Sequence, residues 1–336
     1  MHPIVRKLIT FVVTLWAAVT VNFFLPRLMP GTPADAALAK LAGNGPVSPA
    51  QKQAIEDTLG VPHGSVWSQY VSYLDDAVHG RFGVSYTYFP ASVVSLIRTA
   101  LPWTLVLVGF ATVLAFVVGT LLGVLAAWRR GGGMVGAKQG SAVDRVATVG
   151  STFTSAFPYF WTALLLLFVF AFKLNWFPIK GGYQADTSPN WSFSFIVDAA
   201  FHSVLPAVTI LVSGLGGWLL GMRNNMINTL GADYVTFAEA NGLRGRTVAL
   251  RYAARNALLP SVTAFGMALG LVVGGSLLTE VVFAYPGVGY LLYNAVVNED
   301  FPLMQALFLV ITLSVLVANL IVDLLYGLLD PRARRA

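Results

Sequence analysis

Apolar residues in this chain come in long uninterrupted stretches, unlike the short periodic patterns of a soluble core. Six stretches contain no charged residue: 8–26, 100–128, 146–172, 199–222, 257–279 and 301–322. A helix needs about 20 apolar residues to cross a hydrocarbon layer of about 30 Å. These stretches are too long for buried soluble helices and too uniformly apolar for amphipathic ones. Helices are the open-ended structures that satisfy their own backbone in lipid. The pattern therefore predicts an all-α integral membrane protein with six transmembrane helices. Pro102, Pro158, Pro206 and Pro260 fall in or near these spans and are expected to produce kinks that neighbouring helices tolerate.

The first stretch follows Arg6 and Lys7, as the apolar region of a signal peptide would. Its run is longer than such a region, and residues 17–25 grow bulkier where a cleavage site would end in small residues. A retained helix is expected.

Composition supports lipid as the main solvent. Hydrophobic residues make up 56% of the chain and charged residues only 11%, against about 25% charged in soluble domains. Cysteine is absent, which removes disulfides, thiolate metal sites and cysteine nucleophiles. The four histidines, His2, His63, His79 and His202, are scattered and have no partner at metal-ligand spacing. No paired carboxylates lie within the six stretches, as an ion-coupled transporter would be expected to require. No Ser/His, paired Asp or HExxH arrangement suggests an intramembrane enzyme.

The net charge of +6 is explained by topology and needs no nucleic-acid partner. With six spans, both termini share one side with the connections 129–145 and 223–256. Fourteen of the 21 Lys and Arg residues fall on that side, and 10 of the 15 acids on the other. The positive-inside rule then puts both termini in the cytoplasm.

The opposite side carries two notable segments. Residues 28–97 form a long polar insertion, with "SPAQKQAIEDTLG" (48–60) readable as a Ser-capped helix. In "WSQYVSYLDDAVHG" (67–80), Trp67, Tyr70, Val71 and Leu74 fall on one helical face, with Asp75 and Asp76 off it. This segment reads as an amphipathic helix lying on the membrane or on other helices. Residues 174–198, rich in Trp, Pro, Gly and Asn, read as a loop with aromatic anchors. On the cytoplasmic side, the glycines at 131–133 read as a flexible connection.

Between the fourth and fifth stretches lies "DYVTFAEANGLRGRTVALRYAARNALLP" (233–260). Asp233–Asn241 can form one short helix. Val248, Ala249, Tyr252, Ala253 and Ala257 fall at helical spacing in a second, and Gly242 and Gly245 allow a turn between them. The piece reads either as a solvated, positively charged loop or as a helix–turn–helix held against the cytoplasmic end of a bundle.

"FAEANGL" (237–243), a basic amphipathic segment and "NALLP" (256–260) resemble the cytoplasmic EAA loop of ABC importer permeases. The whole chain resembles the permeases of the dipeptide/oligopeptide importer family. The likeness includes "LPRLMPGTPADA" (25–36), "LGVPHGSVWSQYVSYLDDAVHGRFGVSY" (59–86) and "LPWTLVL" (101–107). It continues in "TEVVFAYPGVGYLLYNAVVNEDFPLMQA" (279–306) and "NLIVDLLYGLLDPRAR" (319–334). Counting back from Gly242, the pattern's Glu-Ala-Ala falls on Thr236, Phe237 and Ala238, where only Ala238 fits; Glu239 is the neighbouring acid.

The resemblance implies the type I importer fold. Residues 1–30 would form the N-terminus and first helix, 31–97 an extracytoplasmic segment, 98–330 the permease core, and 331–336 a cytoplasmic tail. Within the core, loop 225–258 would carry a coupling helix. Thr236, Phe237, Ala238, Glu239, Ala240, Gly242, Leu243 and Arg244 would then dock onto an ATPase. The implied partners are a second related permease, one or two ATPase subunits, a substrate-binding protein and membrane lipid, in the plasma membrane of a prokaryote. No G-x-x-x-x-G-K-[ST] phosphate loop occurs in the chain, so ATP and Mg are expected on the partners, and the chain itself is expected to be neither an enzyme nor a cofactor carrier. The implied cargo is peptide, with nickel, glutathione and haem-like compounds as alternatives within the family.

Polar and small residues of the middle spans either line a pathway or permit close helix packing. These are Ser151, Thr152, Thr154 and Ser155, the "SGLGG" of 213–217, and the "GGS" of 274–276. Glu280 reads either as a gate acid, with Arg98 as a possible partner, or as an acid exposed to water at a helix end. Around Pro286 and Gly287, "FAYPGVGY" (283–290) reads either as a gate or binding-protein contact or as a structural turn held by Phe283, Tyr285 and Tyr290. Asp323, near the end of the last span, shares a face with Asn319 and Tyr326 and reads as an inter-helix hydrogen-bonding residue.

Overall fold

The computed structural model describes residues 3–28, 53, 64–130, 142–274 and 276–329. Except for residue 53, the helix expected at 48–60 lies outside the described residues, as do the 131–133 connection, the tail and the side chain of Asp323. Among the described residues the fold is all-helical, and its nearest approach to a strand is a single bridge between Val84 and Ser92.

Among the described residues, four helices are long and apolar enough to cross a membrane. They are α3 (Val93–Arg130), α6 (Phe193–Leu230), α8 (Gly245–Gly274) and α11 (Phe301–Leu329). α1 is Pro3–Phe24 and α2 is Val66–His79. Shorter helices follow: α7 (Asp233–Ala240), α9 (Leu277–Val282) and α10 (Val288–Val297). α3 and α6 each have 38 residues, giving a length of about 57 Å. Both overrun their apolar stretches, so their polar ends extend past a hydrocarbon layer of about 30 Å.

The 146–172 stretch departs from the expected continuous span. It forms α4 (Ala142–Ala156) and α5 (Tyr159–Leu166), the latter continuing as a π-helical turn to Lys173, with a bend of 96° between the two. Pro158 stands at the break with ψ 146°. Proline disfavours the helical conformation in the residue before it. Upstream, the Thr152 and Thr154 hydroxyls bond back to the carbonyls of Thr148 (2.9 Å) and Ser151 (3.1 Å), a pattern that bends helices. Pro102, Pro206 and Pro260 all lie inside helices that continue through them.

The chain divides into two compact units. The first takes in residues up to Thr104, Val273–Leu277 and Pro286–Leu320. Its core packs Val93, Ile97 and Ala100 of α3 against Val288, Leu291 and Leu292 of α10 and Leu303, Met304 and Leu307 of α11. α2 starts from the Ser65 cap, whose hydroxyl accepts from the Ser68 N–H, and ends on Gly80 in the left-handed region.

The second unit takes in Leu105–Val272, Leu278–Tyr285 and the C-terminal end. Here glycine permits close helix approach. A Cβ at Gly123 would lie 2.6 Å from the Leu219 carbonyl oxygen, and one at Gly216 would lie 2.4 Å from Ser155 Oγ and 2.6 Å from the Ser151 carbonyl oxygen. The "STFTS" and "SGLGG" stretches are thus brought together as a packing seam between α4 and α6. Gly216→Ala is expected to force the two helices apart, since the Ser151 backbone cannot yield as a side chain can. The cost is about 1–3 kcal/mol, read as an earlier thermal transition of the purified protein.

Candidate functional site

The 233–260 segment folds as a short helix and a sharp turn, as expected, but its second part is not a separate helix. Residues from Gly245 onward run continuously into the fifth apolar stretch as α8, through a π-helical turn at Val248–Ala254. The apolar residues of the insert and those of the span lie in one helix, which continues through Pro260.

α7 begins after Ala232, which is extended at ψ 146°, and carries Asp233 in its first turn, where a carboxylate complements the helix dipole. It ends in a Schellman motif: the Gly242 N–H donates to the Glu239 carbonyl (2.8 Å) and the Leu243 N–H to the Ala238 carbonyl (3.3 Å). Gly242 sits at φ +77°, which a side chain disfavours. Arg244 then opens α8, its carbonyl accepting from Thr247 (2.8 Å) and Val248 (3.1 Å).

Val235 and Ala238 of α7 are buried against Val248 of α8, with Leu230 packed beside them. The Asn256 side chain donates to the Tyr234 hydroxyl at 3.0 Å, a second tie between α7 and α8. Below this hairpin, Ala127, Met222, Met226, Ala253 and Ala257 form a buried cluster that joins α3, α6 and α8. The hairpin is therefore mounted on the helix ends. Of the eight predicted docking residues, Ala238 faces inward and Glu239 is half-buried, while Thr236, Phe237, Ala240, Gly242, Leu243 and Arg244 are exposed. Phe237 is 71% exposed, a large apolar side chain facing outward from a helix already packed on its other face.

An ion pair missed in the sequence lies near this mount. Asp144 at the start of α4 receives both Nε (2.5 Å) and Nη2 (2.9 Å) of Arg223 from α6. Both side chains are largely buried, at 7% and 12% exposure. Their separation of 79 residues leaves no local signal for the pairing.

At the predicted gate, Glu280 is fully buried, which overturns the water-exposed reading; Arg98 is exposed. Around Tyr285 the chain makes a structural turn. Phe283 and Tyr285 are buried, the Phe283 carbonyl accepts from Gly181 N–H at 2.9 Å, and the Tyr285 hydroxyl lies 2.9 Å from Ser203 Oγ. Gly287 is buried as the cap of α10, where Val288 N–H donates to Thr104 Oγ1 at 2.7 Å. Pro286 is half-buried.

Asp300, which sequence reasoning passed over, is a fully buried carboxylate capping α11. It accepts from the Leu303 N–H (3.3 Å), the Thr87 N–H (2.8 Å) and the Ser85 hydroxyl, fastening the 84–92 segment to α11. Burial, reinforced by this carboxylate, pushes the Tyr86 hydroxyl up to about 12, so the tyrosine stays neutral. The usable signal was "DFPL": an Asp cap three residues before an apolar position, with Pro in the first turn.

Comparison with known proteins identifies the family. The family model described as "Binding-protein-dependent transport system inner membrane component" matches residues 119–335. The chain is 31% identical over 329 residues to the oligopeptide transport system permease protein AppB of Bacillus subtilis, covering 98% of each chain. It is 31% identical over 351 aligned positions to the dipeptide transport system permease protein DppB of Escherichia coli, again covering 98% of each. A putative peptide permease protein of Brucella suis is 35% identical over 320 residues, 95% of each chain. With its several long apolar helices this is a multi-pass membrane protein, and it belongs to the family of inner-membrane components of binding-protein-dependent transport systems.

Proposed function

We propose that this chain is the permease subunit of an ATP-driven importer that passes di- or oligopeptides from a substrate-binding protein into the cytoplasm. The observation that carries the mechanism is α7, which is packed on one face and presents Phe237 on the other. Within 225–258, which takes in the end of α6, α7 and the start of α8, Thr236, Phe237, Glu239, Ala240, Gly242, Leu243 and Arg244 meet a cleft on an ATPase subunit, with Ala238 supporting them from behind. ATP and Mg bind on that partner. Closure of the ATPase pair moves α7, and α6 and α8 carry the motion into the membrane.

Six spans serve this mechanism: α1, α3, the bent pair α4 and α5, α6, α8 and α11. Both termini are cytoplasmic. Residues 1–30, 31–97, 98–330 and 331–336 form the N-terminal helix region, the extracytoplasmic segment, the permease core and the tail. A second homologous permease completes the pathway, which alternates between outward and inward access. Glu280, Pro286 and Gly287 are assigned to the exterior gate or to contact with the binding protein. Peptide is the favoured cargo because the relatives named above are peptide permeases by name.

Two measurements test this. Uptake of labelled peptides, compared with nickel, glutathione and haem, should depend on this chain for peptides alone; unchanged peptide uptake without it sinks the reading. Separately, Phe237→Ala should lower recovery of the ATPase on co-purification. An aromatic anchor is worth about 2 kcal/mol or more, or about thirtyfold in affinity. Undiminished recovery would show that Phe237 is not the anchor.

A further inference from the structure

α2 has three faces. Tyr70 and Tyr73 pack on Phe23 of α1, with ring centroids at 5.2 and 5.5 Å. Ser68, Ser72, Asp75, Asp76 and His79 form a polar face, where Arg81 pairs with Asp75 and with Asp76 (3.1 Å). Between these faces runs Trp67, Val71, Leu74 and Val78, spaced i, i+4, i+7 and i+11 on one side of the helix. Trp67 is 72% exposed, Val71 49% and Val78 83%. Leu74 is half-buried and the Trp67 ring lies 5.7 Å from that of Tyr70, so the stripe is covered on its Tyr70 side and open at Trp67, Val71 and Val78.

The level of α2 is fixed by polar contacts within the first unit. The Tyr70 hydroxyl lies 2.7 Å from Thr20 Oγ1. Asn22 Nδ2 donates to the Tyr73 hydroxyl at 3.0 Å and to the Gln305 carbonyl at 2.8 Å. Thr20 precedes the end of α1 by four residues and Gln305 follows the start of α11 by four. Each offset is about 6 Å of helix. Two apolar helices thus place α2 at the same shallow depth, just below their ends. Val21, Phe24, Leu25 and Leu28 of α1 and the turn after it are also exposed, so the stripe continues an apolar surface already facing outward.

We propose that this stripe is seated in the bilayer, with α2 lying in the headgroup–acyl boundary of the outer leaflet. The occupant is lipid for three reasons. The contacts of α2 fall at Thr20 and at Asn22, itself bonded to Gln305, beside the matching ends of the uncharged stretches 8–26 and 301–322, where a hydrocarbon layer would stop. Trp67 is the residue type that such boundaries favour. The surface also merges with the exposed apolar side of α1. The polar face carries Asp75 and Asp76 and gains no attraction from anionic lipid. Insertion is therefore apolar in origin and insensitive to lipid charge. The proposal rests on reading α1 and α11 as membrane spans.

The chain lacks cysteine, so single labels are direct. Val71→Cys, Val78→Cys, Ser72→Cys and Val13→Cys, each carrying an environment-sensitive fluorophore, would be placed in the complex with cysteine-free partner subunits in nanodiscs. Nanodiscs of phosphatidylcholine alone would be compared with nanodiscs containing phosphatidylglycerol. Labels at 71 and 78 should be quenched by shallow lipid-attached nitroxides more than by aqueous iodide, equally in both lipids, while the label at 72 shows the reverse. If 71 and 78 respond to iodide as 72 does, α2 stands in water and the proposal fails. If they are shielded from both quenchers, a protein covers the stripe and the proposal also fails. The label at 13 should respond to deep nitroxides in every case. Iodide quenching there would overturn the reading of α1 as a span, a result distinguishable from failure at 71 and 78 alone.

Discussion

Gly242→Pro is expected to abolish ATP-coupled uptake while the chain still inserts in the membrane. Proline is fixed near φ −65°, but this position requires +77°. Proline also lacks the N–H that donates to the Glu239 carbonyl in the helix-ending motif. The turn cannot form, so α7 loses its end and Phe237 loses its fixed direction. Gly242→Ala keeps the N–H and pays only for the left-handed conformation, about 1–2 kcal/mol, so it should leave partial transport. The checks are peptide uptake and binding-protein-stimulated ATP hydrolysis in reconstituted complexes. Normal uptake by the proline variant would remove 233–260 from the coupling path.

Asp144→Ala should produce the largest loss of stability. It leaves the Arg223 guanidinium, 12% exposed, without the carboxylate that engages two of its nitrogens. Removing one member of a buried pair costs about 3–5 kcal/mol, whereas replacing both by apolar residues is often near neutral. The double variant Asp144→Leu, Arg223→Met should therefore recover much of the thermal transition lost by the single one. A double-mutant cycle on the purified protein measures the coupling. If the double variant is as unstable as Asp144→Ala, the pair is not what holds α4 to α6.

Much of this architecture could be read from uncharged stretches and turn chemistry. The four long helices follow from their length in apolar residues, and α7 with its closing glycine follows from "FAEANGL". What escaped the sequence depended on distance or on choices between similar local signals. Four prolines looked equivalent, yet only Pro158 breaks its helix, where hydroxyls that bond back to helix carbonyls already weaken the preceding turn. The continuity of α8 escaped because a change from charged to apolar composition resembles a boundary and Pro260 marks the same place, though the helix runs through both. For Glu280 the sequence left a gate acid and a water-exposed acid both open, because burial depends on neighbours far along the chain. Asp144 and Arg223 could not be matched across 79 residues.

The π-helical turn at Val248–Ala254 has a consequence for evolution and engineering. Such a turn holds one residue more than an α-helical turn would, and one residue corresponds to a rotation of about 100° about the axis. It acts as an angular spacer between the docking hairpin and the membrane part of the same helix. Deleting Arg251 there would let the ladder relax to ordinary α-helix, keeping every apolar side chain but swinging Phe237 to a different compass bearing. The aim of the hairpin is therefore set by chain length as well as by side-chain identity.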